Sequence, residues 1–288
     1  MTPQYDDIGR LKTIPLGNCA QSGLVRTVAY DEANRITALT HVNIGSVAQA
    51  ANDHTFGYDN LDRLTSWLGR RSRFACANLY AGATHALRNP RSYTAAQAYG
   101  YDLSGNRNTS TIGATAYALT IAITSNRLSA TTGPVPATNT FDAAGNILSN
   151  GTATFTYSDR GRMSSAKVAA NTVKYLYNGL DQRVQKSGPT AVVPSGQAIY
   201  TYDEDGKLLG AYAATQVANY ETVYLGNTPV ADITQKRTAT SPNFVFASTV
   251  NYAYADQIDT VRVITRASDN KMVWRWDQAD PFGVGGGQ

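Results

Sequence analysis

The chain has 288 residues, 42% of them hydrophobic, and a formal charge of +4, so it is long enough for one large domain or two ordinary ones. A charge so mild, with a single tight basic cluster at Arg70, Arg71 and Arg73 that reads as a solvated loop, argues against nucleic-acid binding, which wants a basic stripe. Two cysteines, Cys19 and Cys76, build neither a disulfide framework nor a zinc site, and no apolar run is long enough for a transmembrane helix.

The first element begins almost at once, in "YDDIGRL" (5–11), with no secretory-signal shape before it. That predicts a chain that stays in the cytoplasm unless a secretion system exports it. Copies follow at "YDEANRI" (30–36) and "YDNLDRL" (58–64). Residues 67–98 are the least regular part and read as an insertion loop, in which "YTAAQAYG" (93–100) is the nearest candidate for a turn of helix. Regularity returns with "YDLSGNR" (101–107), a half-copy "NRLS" (126–129), "FDAAGNI" (141–147), "YSDRGRM" (157–163), "YNGLDQRV" (177–184) and "YDEDGKL" (202–208). Gly and Pro punctuate "TTGPVPATN" (131–139) and "KSGPTAVVPSGQ" (186–197), which read as loops.

Each copy has the chemistry of a β-hairpin. The segments "ATFTY" (153–157), "VKYLY" (173–177) and "AIYTY" (198–202) place aromatics two apart, on one strand face. The aspartates Asp6, Asp31, Asp59, Asp102, Asp142 and Asp203 suit the first position of a tight turn, where a carboxylate accepts from backbone N–H groups just ahead. Gly9, Gly105, Gly145, Gly161 and Gly206 then supply a positive φ, with Asn34 and Asp62 as tolerant substitutes. An Arg, Asn or Lys faces out and an aliphatic faces in (Leu11, Ile36, Leu64, Ile147, Met163, Leu208). These turn residues read as structural; a carboxylate series for metal binding or acid–base work is the sharper alternative. The predicted fold is all-β, a long curved antiparallel sheet of successive hairpins whose two edges offer a route to self-association.

Chemistry beyond the turns is sparse. His41, His54 and His85 read as polar loop residues, and no Gly-x-Ser-x-Gly elbow or phosphate loop accompanies them. No catalytic, cofactor-binding or metal-binding residue and no cofactor is predicted. Trp274 and Trp276, in "VWRWD", share a strand face and read as anchors of a carbohydrate- or protein-binding surface or as a plug in the core of the last hairpin.

The cassette resembles the YD repeat of the RHS (rearrangement hotspot) proteins. From about residue 99 to 283 the blocks "FTYSDRGRMSSA", "YLYNGLDQRVQKSG", "YTYDEDGKLLGAY", "ETVYLGNTPVADI" and "YAYADQIDTVRVITRASDNKMVWRWDQADPFG" come in that family's order. The resemblance divides the chain into N-terminal hairpins (1–98), a core-like sheet (99–283) and a Gly-rich tail (284–288). It implies a non-enzymatic segment of a cocoon that encloses a C-terminal toxin polypeptide, in bacteria often delivered by type VI secretion for interbacterial competition. Its partners would be that toxin or the rest of an RHS shell. The departures are specific: the family's later "DPxGL" cleavage motif is absent, so neither self-cleavage nor a toxin is expected in these residues. Asp256, Asp259, Asp277 and Asp280 remain a local carboxylate cluster that the resemblance does not identify as a protease pair. A binding module, or a truncated remnant without a role of its own, are the other expectations.

Overall fold

A computed structural model describes residues 3–16, 24–43, 53–71, 93–215, 217–237, 246–276 and 281–282. Among these residues the protein is all-β apart from a single 3₁₀ turn at Pro194–Gly196. Within each sheet every strand pairs antiparallel with its neighbours in sequence, an 11-stranded sheet being followed by a 13-stranded one. Neither sheet closes on itself, since the order of each runs from one edge strand to another.

The cassettes build the hairpins. In the first, Gly9 N–H donates to the Asp6 carbonyl (2.9 Å) and Asp6 N–H to the Arg10 carbonyl (2.8 Å), a tight turn followed by a bulge. The backbone is left-handed at Gly9 (φ 82°), Gly105 (85°), Gly145 (95°), Gly161 (72°) and Gly206 (86°), and also at Asn34 (64°), Asp62 (62°) and Asp181 (61°). Register slips by one residue beside the aromatic of each cassette, as between Gly57 and Tyr58, so the turn geometry recurs with its bulge.

Two readings of the irregular third are corrected. Strand β6 (Leu64–Arg71) and strand β7 (Tyr93–Tyr101) pair along Ser66–Arg71, so "YTAAQAYG" is strand and not helix. Cross-strand partners override the helix preference of its alanines. Arg70 and Arg71 therefore lie in a strand, while residues 72–92, with Arg73, Cys76 and His85, are outside the described residues, as are Cys19, Asp277, Asp280 and the tail 284–288.

The expected single sheet is carried by two that share one extended stretch. Strand β11 (Ala137–Thr138) pairs back to β10 (Leu128–Thr131), and strand β12 (Thr140–Phe141) pairs forward to β13 (Ile147–Ser149). Only Asn139 separates them, and its N–H still donates to the Ser129 carbonyl (2.8 Å). Alternation gives some strands one packed face, clearest in Ala153–Tyr157 and Asn171–Tyr177, where Ala153 and Val173 are buried and Phe155, Tyr157, Tyr175 and Tyr177 follow on the same side.

Candidate functional site

Two constellations concentrate the polar chemistry: a ladder along the turn rim, and a buried centre around Arg26, His41 and His54.

In the ladder, Asp31 Oδ1 accepts from the N–H groups of Ala33 (3.0 Å) and Arg35 (2.9 Å), and its Oδ2 accepts from Arg35 Nε (2.7 Å). Asp6 with Arg10 and Asp59 with Arg63 repeat this geometry. Asp102 and Asp142 take Asn106 and Asn146 instead, and Asp203 accepts from Lys207 N–H (2.7 Å). The arginine does not simply face water. Arg10 Nη1 continues to Asn34 Oδ1 (2.6 Å) and Arg35 Nη1 to Asp62 Oδ1 (2.8 Å), each in the next turn. The same guanidinium lies over the next aromatic, Arg10 on Tyr30 at 4.5 Å and Arg63 on Tyr101 at 4.7 Å. The contacts at Asp6, Asp31, Asp59, Asp102 and Asp142 hold these carboxylates below their ordinary range. For Asp31 the largest cause is the Arg35 N–H, with the Arg35 side chain adding to it against partial desolvation.

The aromatic hydroxyls complete the ladder. Tyr30 donates to the Leu11 carbonyl (3.0 Å), Tyr58 to Ile36 (2.8 Å), Tyr101 to Leu64 (2.7 Å) and Tyr157 to Ile147 (2.9 Å). Each joins a hairpin to the one before it. This explains why the repeats favour Tyr over Phe. At Phe141 there is no hydroxyl, and Asn139 Nδ2 donates to the Leu128 carbonyl in its place (2.8 Å).

The second constellation was not legible in sequence. Strand β3 (Leu24–Tyr30) carries Arg26 directly opposite His41 of β4 (Ile36–Asn43). Arg26 Nε donates to His41 Nε2 (3.0 Å), and His41 Nδ1 lies 3.3 Å from Asp53 Oδ1. Arginine can only donate, so the imidazole proton sits on Nδ1 and points at Asp53. Beside it, His54 of β5 (His54–Tyr58) stacks on Trp67 with centroids 5.4 Å apart, and lies 6.3 Å from the His41 ring. Gly69 faces His54 across the ladder and leaves room for the indole, which any Cβ there would overlap. All of Arg26, His41, His54 and Trp67 are buried, so the reading of these histidines as loop residues is corrected.

Charges from the far end of the chain act on this group. The hairpin of β22 (Phe246–Ala255) and β23 (Val261–Arg266) turns at Asp256–Asp259, a cassette in which Ala255 replaces the aromatic. Its i+4 residue is Thr260, and Arg262 Nε takes Asp256 Oδ2 instead (2.6 Å), fully enclosed on the carboxylate side. Asp256 and Arg262 act electrostatically on Arg26, and Arg262 on His54. Trp276 N–H donates to the Arg262 carbonyl (2.9 Å), and the Arg262 guanidinium lies 4.4 Å from the Trp276 ring. Trp274, opposite Ile264, shares that side of the hairpin, and both rings are half-buried. Phe282 packs edge-on to Tyr99 at 5.2 Å and under Arg107 at 4.9 Å, joining the C-terminal part of the chain to strand β7.

Burial dominates the electrostatics here. It lowers Arg26 to about 10, with Arg262 adding repulsion and Asp256 opposing it. It lowers His54 to about 3, with His41 and Arg26 adding to the effect. It lowers His41 too, against the bond to Asp53. Both rings are neutral at pH 7. His54 Nδ1, Trp67 Nε1, Arg262 Nη1 and Trp276 Nε1 are buried without a protein partner. Asp256 and Asp259 do not form a carboxylate pair, since Asp259 accepts from Thr228 Oγ1 (2.6 Å). The signal available in sequence was alternation: Arg26 with Val28, and Leu39 with His41, put polar residues in packed positions.

Residues 2–200 match the family model described as the teneurin YD-shell. No curated protein matches. Among solved structures, the chain is similar to TcdB2-TccC3-TEV at 11% identity and a TM-score of 0.32, over 95% of this chain and 15% of that one. It is similar to a porin-like protein from Bacteroides uniformis at 12% identity and a TM-score of 0.32, over 80% of this chain and 95% of that one. Likeness at that level is too slight to argue from.

Proposed function

The chain belongs to the teneurin YD-shell family, and on that footing we propose that it is a stretch of non-enzymatic shell wall, part of a larger RHS-type cocoon that encloses a toxin polypeptide. The observation that carries this reading is where the polar side chains go. In the ladder, Asp closes its own turn while Arg and Tyr reach the neighbouring hairpin, Arg35 joining Asp31 of its own turn to Asp59 and Asp62 of the next. That is the chemistry of a surface made to extend, hairpin by hairpin. Export by a type VI system and use in competition between bacteria belong to the same proposal.

The test begins with the DNA flanking this reading frame, followed by limited proteolysis of the whole encoded chain. A wall predicts that a segment downstream of the repeats survives until the repeats themselves are cut. If that segment is digested as fast as when expressed alone, the enclosure reading is wrong.

A second reading rests on the packed face, where Arg183 lies 5.7 Å from the Tyr175 ring and 4.7 Å from the Tyr200 ring. Such a row of rings suits a sugar or an extended polypeptide. Titration with oligosaccharides while following tryptophan fluorescence separates it from the wall reading, which expects no change.

A further inference from the structure

We propose that Arg107 and Tyr99 form a socket for an aromatic side chain, that Phe282 occupies it, and that this contact is a releasable clasp. It fastens the segment that follows the second sheet to the packed face of the first. The inference concerns how the two sheets are held, and it stands whether or not the wall encloses a cargo.

The socket follows from the cassette. The position that carries an inward aliphatic in most copies is Arg107 in "YDLSGNR" and Arg183 in "YNGLDQRV". Each arginine pairs with its cassette tyrosine, Arg107 with Tyr101 and Arg183 with Tyr177. Each lies over the ring two residues before that tyrosine, 5.4 Å from Tyr99 and 5.7 Å from Tyr175. Arg183 takes a second ring from the next strand, β18 (Gln197–Tyr202), where Tyr200 is 4.7 Å away. Tyr200 comes directly after Ile199, the partner of Gln185. The same step on strand β9 (Thr115–Ile121), where Ala118 is the partner of Thr109, leads to Leu119. An aliphatic stands where that ring would be, and Arg107 has Phe282 instead, at 4.9 Å.

The floor of the socket is built into the sheet, and its occupant is not. Tyr99 and Gln97 are buried, and the Tyr99 hydroxyl donates to Gln97 Oε1. Phe282 belongs to no strand and meets Tyr99 edge-on at 5.2 Å, with 56% of the residue still exposed. A ring held so shallowly can leave without breaking any strand pairing. An edge-on aromatic pair and a cation over a ring together favour the docked state by roughly five- to thirtyfold. While docked, the ring ties the end of the second sheet to the middle of the first, away from the junction at Asn139.

The experiment is chymotrypsin cleavage after Phe282, followed by mass spectrometry on the whole chain and on a synthetic peptide of residues 277–288. Chymotrypsin takes the ring into its own apolar slot, so the bond is cut only while the socket is empty. We expect initial cleavage in the folded protein to be about five- to thirtyfold slower than in the peptide. Arg107→Met, which keeps length but removes the cation, should bring the rate towards that of the peptide. Leu119→Tyr should do the same by supplying from β9 the ring that displaces Phe282. Cleavage of the wild type as fast as the peptide overturns the clasp, and so does slow cleavage that neither substitution changes. If those variants do not fold, Phe282→Ala decides through hydrogen exchange. Faster exchange in peptides from 93–112, with those from 153–187 unchanged, supports the clasp; exchange equal to wild type overturns it.

Discussion

Side chain by side chain, the repeats are held by bonds that close each turn and by others that lead to the preceding or following hairpin. Tyr58 is typical: its hydroxyl gives the Ile36 carbonyl a partner at 2.8 Å, in a half-buried place where an unmade bond is costly. Tyr58→Phe should destabilise the protein by about 1 kcal/mol, read from urea unfolding; no change would mean water replaces the hydroxyl freely. Gly145 needs its hydrogen for two reasons, a φ of 95° and the Arg127 guanidinium 3.0 Å from any added Cβ. Gly145→Val should cost about 1 to 3 kcal/mol, measured in the same way. Gly69→Ala should cost a similar amount, about 1 to 3 kcal/mol, by lifting the Trp67 indole that lies across that residue. Its signature is a change in tryptophan emission that Gly145→Val does not share.

At the level of strands and turns, much was readable because the chemistry is local. An aromatic, an Asp and a residue tolerant of left-handed backbone lie within five positions, and so do the bonds that close the turn, as in Asp6–Arg10. Where an element depends on distant partners, local reading fails. Strand β7 is rich in alanine and takes its conformation from pairing with Leu64–Arg71 and Arg107–Ile112. The turn at Asp256 lacks the local signature of the others because Ala255 stands where the aromatic should be, although Asp259 has the same left-handed backbone (φ 58°). The Arg26–His41 centre was out of reach for a different reason: part of the charge acting on it comes from residues more than two hundred positions away. The junction of the sheets carries its own prediction. Asn139→Ala removes the bond to Leu128 and should cost about 1 kcal/mol, with faster exchange confined to peptides spanning 128–149. Exchange that quickens everywhere would mean that the junction is no separate point of weakness.

The molecule as a whole should respond to acid in two stages. His41 and His54 are neutral in the fold, below their ordinary range. Their contribution is complete above about pH 6.5 and falls as pH drops below that value, by about 1.4 kcal/mol per pH unit for each ring that stays neutral. The turn carboxylates act later. Asp31 is held below 3.8, chiefly by the Arg35 N–H, and Asp102 below 3.8, chiefly by the Asn106 side chain, so their stabilisation is intact above 3.8 and disappears as pH falls through the folded value. Thermal melts between pH 7.5 and 3 should therefore decline first near 6 and steepen again below 4. A flat profile down to pH 4.5 would show that the buried rings do not govern stability.

The tyrosine bonds also have a direction. In each of them the later hairpin supplies the donor and the earlier one the carbonyl, from Tyr30 on Leu11 to Tyr224 on Leu208. A chain leaving the ribosome N-terminus first therefore always meets a finished acceptor with a new hydroxyl, and each hairpin has a surface to settle on as soon as it is made. Growth of the sheet is in this sense templated by its own past. An interruption in synthesis would leave an assembled stub whose last carbonyl awaits a donor, with every earlier rung already closed.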